Sequence, residues 1–225
     1  MRRYDSIENI KYDKTLMGEE VWAFNKLDGQ NFGVKYNART KKFSDYTSRK
    51  CNVDETHPQF GGAVVYFKEH YLNLLLDIIN KNSGKGGLFN GVDEIMFFFE
   101  WYGDNSFAGF HKEGEELRLA LIDVFMKKKG YIEPKSFYNI FCLNDEIHTP
   151  ELIYKGVLNQ EFIKSINEND WTLPDCKYPN VKEGVVIRRS TMMKGQRMPK
   201  AKAKTKWWID KLHNEFSEEE CKLLE

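Results

Sequence analysis

Short apolar runs alternate with polar breaks along the chain, and the period of each run predicts its element. Residues 21–36 (VWAFNKLDGQNFGVKY) form two runs rich in aromatic and β-branched side chains on either side of Asp28-Gly29. That dipeptide between strand-like runs predicts a hairpin, with Lys26 at the end of its first strand. Residues 64–80 (VVYFKEHYLNLLLDIIN) place apolar side chains at spacings of three and four, which predicts an amphipathic helix. The glycine-rich stretch 82–91 reads as the loop after it. Strands are predicted at 94–101 (EIMFFFEW), 117–125 (LRLALIDVF), 184–189 and 201–206, and helices at 134–143, opening with Pro134, and at 160–167. A helix-like WWIDKLHNEF and an acidic tail from about residue 214 end the chain. The mixed order predicts an α+β fold of largely antiparallel sheets flanked by helices, in one domain spanning 1–225.

With 225 residues, 41% of them apolar and 14% aromatic, the chain can bury a sizeable core. No apolar run reaches about 18 residues, so neither a membrane span nor a secretory signal is expected. Cys51, Cys142, Cys176 and Cys221 stand far apart with no CxxC pair, which argues against zinc and a disulfide framework and predicts a reducing, cytoplasmic setting. The net charge is zero, so no global field draws nucleic acid. The charge is instead concentrated: residues 182–206 carry nine Lys and Arg against one acid, Glu183. Such a run is either a solvated face or a phosphate site.

Four places carry candidate chemistry. Lys26 sits between Phe24 and Leu27, where reduced solvation lowers a lysine pKa and exposes a nucleophilic amine; the alternative is an exposed strand lysine. Glu100 follows three phenylalanines and needs a partner, a ligand hydroxyl or solvent at a strand edge. Glu183, second in KEGVVIRR and just before its β-branched triplet, is either a metal ligand or an ordinary strand start. Lys200, Lys202, Lys204 and Lys206 recur with period two, which in a strand aligns four ammonium groups on one face. The GKGG at 84–87 lacks the spacing of a phosphate loop, and the five histidines form no HExxH or close pair.

These pieces stand in the order found in the covalent nucleotidyltransferase superfamily of polynucleotide ligases and mRNA capping enzymes, which the chain resembles from Lys26 to Lys206. KLDG resembles the superfamily's nucleophile motif KxDG, FFFEWYG its third motif, EGVVIR its fourth and the lysine row its fifth. KLDGQN continues to Asn31 like the KxDGxN of the type-2 RNA ligase branch, where DNA ligases usually carry an arginine after DG. Arg49, in YTSRK, is similarly placed to an arginine that contacts phosphate in that branch. The resemblance implies a nucleotidyltransferase domain, the ATP-grasp-like adenylation domain of ligases; departing from many relatives, no appended OB domain is expected.

It further implies that Lys26 attacks the α-phosphate of ATP to form lysyl-AMP, with Lys204 and Lys206, or alternatively Lys202, neutralising that phosphate. Glu183 would hold Mg²⁺ or Mn²⁺, and Glu100 would bond the ribose. AMP would then pass to a 5′-phosphate end of nucleic acid, RNA being favoured, and a 3′-hydroxyl would displace it. Two departures concern the base: Leu121 and Ile122 stand where many relatives place an adenine-stacking aromatic, leaving aliphatic contact or Phe98 for that role. Asn25 replaces an acid before the nucleophile, its side-chain oxygen able to accept from the adenine amino group. Many ligases continue into a second domain that grips the duplex, so the expectation here is a monomer, as suits a phage-infected cell, with weak and salt-dependent binding or a partner protein in that domain's place. The other readings are a DNA nick-sealing ligase, a GTP-using capping enzyme, and a binding module that no longer turns over.

Overall fold

The computed structural model describes residues 2–168, 181–192 and 198–224; Cys176, Lys194 and Arg197 lie outside the described residues. In chain order the elements are β1 (Glu8–Asn9), β2 (Glu20–Lys26), β3 (Gly29–Asn37), β4 (Lys42–Ser48), β5 (Asn52–Val53), α1 (Gly61–Tyr66) and α2 (Leu72–Lys81). There follow β6 (Glu94–Gly103), β7 (Leu117–Met126), β8 (Gly130–Tyr131), α3 (Pro134–Phe137), β9 (Leu152–Val157), α4 (Gln160–Glu168), β10 (Gly184–Arg189), β11 (Lys200–Lys204), α5 (Lys206–Glu215) and α6 (Glu218–Leu224). No helix among the described residues is long and apolar enough to cross a membrane. Tertiary contacts gather into two compact units within what the sequence reads as one domain.

The first unit, built from residues up to Asp5, Gly29–Ile132 and Phe137–Thr149, holds an antiparallel sheet in the order β5-β4-β3-β6-β7-β8. Its centre is the Phe97-Phe98-Phe99 run of β6, in which all three rings are fully buried. A continuous apolar run of this kind belongs to a strand covered on both faces. Phe99 packs against Phe67 and Tyr71, with ring centroids 5.8 and 5.3 Å away, and Phe98 points the other way onto Tyr4 and Tyr131 at 5.0 and 6.2 Å. Where the sequence predicts one helix over 64–80, the chain is helical from Gly61 to Lys81 with a π-helical turn at Phe67–Tyr71. Buried Phe67, Tyr71 and Leu75, four residues apart, line its inner face.

The second unit comprises Ser6–Asp28, Glu133–Ser136 and the chain from Pro150 onward, with a sheet in the order β1-β11-β10-β2-β9. All its pairings are antiparallel except β1 with β11. Along β2, β10 and β11, alternate residues Val21 and Ala23, Val185 and Ile187, and Ala201 and Ala203 enter one core, closed by Phe162 and Ile166 of α4. The period of two sends the intervening residues to the opposite face. There Gly184 pairs with Lys26 on one side and with Lys204 on the other, so three adjacent strands bring Lys26, Gly184 and Lys204 into line.

The hairpin expected at 21–36 does not form. Both strands exist, but β2 pairs with β10 and β9 whereas β3 pairs with β4 and β6. Every edge is taken, so Asp28-Gly29 passes the chain from one sheet to the other. Gly29 answers to close approach: a Cβ there would lie 2.5 Å from the Trp101 carbonyl oxygen and 2.7 Å from Tyr102 Cβ.

Gly184 is constrained twice over. Its φ of +149° is one that side chains rarely adopt, and a Cβ would meet the Ala203 carbonyl oxygen at 2.0 Å and Lys204 Cα at 2.8 Å. Gly184→Ala is therefore expected to destabilise the protein by roughly 1–3 kcal/mol, read as a lower urea midpoint. An unchanged midpoint would mean that the β10–β11 junction relaxes freely and that the glycine is dispensable.

Candidate active site

Lys26 ends β2, and Glu183 directly precedes β10. Because Gly184 carries no side chain, the space between Lys26 and Lys204 is left to the Glu183 carboxylate. Its Oε2 accepts from Lys26 Nζ at 2.8 Å and its Oε1 lies 3.2 Å from Lys204 Nζ. Exposure grades across the trio: the Lys26 side chain is 23% exposed, that of Glu183 4% and that of Lys204 1%. Lys26 is thus the member that faces a ligand, with the other two behind it.

Burial pushes the Lys204 pKa down to about 8; Glu183 opposes that shift, while the charges of Lys26 and Lys202 add to it. Near neutral pH the ammonium is charged, but held at a cost that an incoming anion relieves. One carboxylate against two ammonium groups leaves the cluster with an excess positive charge.

Thr205 fixes this arrangement. Its hydroxyl donates to the Lys182 carbonyl at 2.6 Å and accepts from Trp208 N–H at 3.1 Å, and its own N–H donates to the Glu183 carbonyl at 3.0 Å. It caps α5 while tying the end of β11 to the segment that bears Glu183. The cap also breaks the expected row of four lysines. Lys200, Lys202 and Lys204 alternate along β11, but Lys206 is the first residue of α5, exposed and bonded to both carboxylate oxygens of Asp210 at 2.9 and 2.7 Å. The strand partner that shares a face with Lys204 is Lys202, half-buried opposite Val186. Asn25 is buried beside Lys26, its backbone N–H donating to Glu151 at 2.8 Å.

The remaining candidates lie in the first unit. Register pairs Asn31 with Glu100 and Gly33 with Phe98, so the four share one face of that sheet. Glu100 is half-buried, and Asn31 is buried with its amide donating to the Phe99 carbonyl at 3.2 Å. Arg49 stands exposed just past β4. Phe98, expected as a platform for adenine, is instead a core residue: it is fully buried and its ring is taken by Tyr4 and Tyr131. A strand covered on both faces leaves no ring free to stack. Among the described residues no three His, Cys, Asp or Glu side chains gather as a metal cage.

The motifs give no role to Gly184, Thr205 or Trp208. For Thr205 a signal existed, a threonine directly before a helix-like run, which marks an N-cap.

A sequence model of the family described as RNA ligase matches residues 19–206. No curated protein sequence matches the chain. Among solved structures the fold is similar to that of Naegleria gruberi RNA ligase, in a variant with ATP and Mn (TM-score 0.60, 15% identity, covering 95% of this chain and 58% of that one). A variant of the same protein with AMP and Mn (0.60, 15%, 94% and 58%) and the protein with PPi (0.59, 16%, 95% and 58%) match as well. At such identity the likeness is one of fold, and the chain spans 58% of the length of those relatives. The matched segment runs through Lys26, Glu183 and Lys204 and covers most of the chain, which therefore belongs to the RNA ligase family.

Proposed function

We propose that this chain is an ATP-dependent RNA ligase of the type-2 branch that forms lysyl-AMP on Lys26, transfers AMP to a 5′-phosphate end and seals that end to a 3′-hydroxyl. The observation that carries the reading is the Glu183 carboxylate bridging Lys26 and Lys204. To attack, the Lys26 amine must lose a proton, and Glu183 Oε2 at 2.8 Å is an acceptor within reach. The N–P bond then forms as the bond from the α-phosphorus to pyrophosphate oxygen breaks. Lys204, with Lys202 on the same face, offsets the charge that builds on the phosphate oxygens. Next, a 5′-phosphate oxygen displaces Lys26 from the α-phosphorus and the amine recovers its proton. Last, the 3′-hydroxyl attacks the activated 5′-phosphorus, loses its proton, and AMP leaves.

The relatives solved with ATP, AMP and Mn support ATP and a divalent cation here. A single buried carboxylate fits an ion that arrives with nucleotide phosphates, since Mg²⁺ commonly takes one or two protein carboxylates and fills its shell with phosphate and water oxygens. Glu183 would hold it, and the ion would supply charge neutralisation at the phosphates. The KLDGQN run supports the type-2 branch, with Asn31 and Glu100 serving the nucleoside and Arg49 a phosphate, as the resemblance implies.

Incubation with α-labelled ATP and Mg²⁺ should leave a covalent label after denaturation. The label should be absent in Lys26→Ala and absent when labelled GTP replaces ATP. Protein freed of bound AMP that still takes no label from ATP would overturn the reading.

Two further variants decide between the lysine pairs. In Lys204→Met the Glu183 carboxylate keeps Lys26, so the fold should survive while the labelling rate falls about 10²–10³-fold. Lys206→Met removes an exposed helix pair and should cost about threefold or less. Equal losses would return Lys206 to the phosphate site.

A further inference from the structure

The Lys204 ammonium has a second partner that the reaction scheme does not use. Its Nζ lies 3.5 Å from the centroid of the Trp208 ring. Both side chains are almost fully buried, at 2% exposure each. A cation over the face of an indole is attracted by the ring's negative quadrupole, most strongly where both are removed from water. We propose that Trp208 is a positioning residue for the adenylation step, its indole face holding the Lys204 ammonium in place beside Lys26 and Glu183. The proposal rests on the reading of Lys204 as the partner of the α-phosphate.

Three observations support it. The first is how local sequence aims the ring. Thr205 caps α5 by accepting from Trp208 N–H at 3.1 Å, which sets Trp208 in the first helical turn. Side chains in a helix lean toward its N-terminus, so the indole returns over the end of β11, where Lys204 is the last residue.

The second is the division of labour at Lys204. Glu183 is shared, and its contact with Lys26 at 2.8 Å is shorter than that with Lys204 at 3.2 Å. Whatever Glu183 does as Lys26 gives up its proton, the indole stays with Lys204.

The third is the contrast with the adjacent residue. Trp207 is 50% exposed, with the Lys211 ammonium 5.6 Å from its ring on the surface of the same helix. It supplies an internal control of the same chemistry.

The test places a series of increasingly fluorinated tryptophans at position 208 of the full chain and measures single-turnover lysyl-AMP formation and melting temperature. Fluorine drains the ring's quadrupole while nearly preserving its shape. The rate should fall stepwise, by about tenfold or more across the series, at a constant melting temperature. The same series at Trp207 should leave the rate flat, and Trp208→Phe should retain more activity than Trp208→Leu. A readout independent of turnover is the Lys204 Hε resonance, which should be shifted upfield by the ring in the wild type and lose that shift in Trp208→Leu. A flat rate series at 208, or a Lys204 resonance without the ring shift, would overturn the proposal. A wild-type protein that shows the ring shift but takes no label from ATP retires the ligase reading instead, and reduces the contact to core packing.

Discussion

One carboxylate, Glu183, satisfies two ammonium groups, and the arrangement of the second sheet follows from that sharing. A buried carboxylate without a cation is costly, and so is a buried ammonium without an anion. Lys26 and Lys204 lie on β2 and β11, which never touch because β10 runs between them. The distance across an intervening strand, about 9.5 Å between backbones, is too great for a direct contact, and any side chain on the middle residue would fill the gap. Gly184 leaves it open, and Glu183, one residue earlier, fills it with charge. Removing Glu183 leaves two ammonium groups without their anion in a place with little water, whereas removing either lysine leaves one ion pair. The trio is therefore a constraint on strand order and register as much as a site.

The alternation of β11 shows how closely core and site are tied. Ala201 and Ala203 are small enough to let α4 approach, with Phe162 and Ile166 completing the core beneath them. The lysines between those alanines are thereby driven to the opposite face. A larger side chain at either alanine would lift α4 and shift the strand that carries Lys204. In the first unit the same economy places functional candidates at the end of a core strand: β6 spends Phe97, Phe98 and Phe99 on packing and then exposes Glu100 partway.

Local order was legible and long-range pairing was not. The strand expected at 184–189 is β10 to the residue, and β6, β7, α4 and α5 lie where periodicity and β-branched or aromatic content put them. Lys26 and Glu183 could be singled out as chemistry-bearing residues, but nothing local shows that they meet, since 157 residues separate them. Asp28-Gly29 misled for the same reason: a tight-turn dipeptide has no knowledge of β10, β9, β4 and β6, which claim every edge of the two flanking strands. Phe98 misled because a run of three aromatic residues cannot say which ring will be covered. Lys206 is different. Its departure from the row follows from Thr205 acting as a cap, a signal that period-two counting overlooked.

The choice of a tryptophan beside Lys204, rather than a second acid, has an electrostatic reason. A second carboxylate would also stabilise the buried ammonium, but it would bring the cluster to zero net charge and cancel the field that an anionic phosphate should meet. An indole face attracts the cation without carrying a formal charge. The excess positive charge of the Lys26–Glu183–Lys204 trio is thus retained at a tolerable cost of burial, with Lys26 as its most exposed member. Burial works against that charge and lowers the Lys204 pKa to about 8. An ammonium held close to losing its proton is poorly solvated, and a phosphate oxygen that replaces the missing water gains more from it than it would from a lysine in solvent. The discomfort of the buried charge in the free protein is what makes it effective against the charge that develops in the reaction.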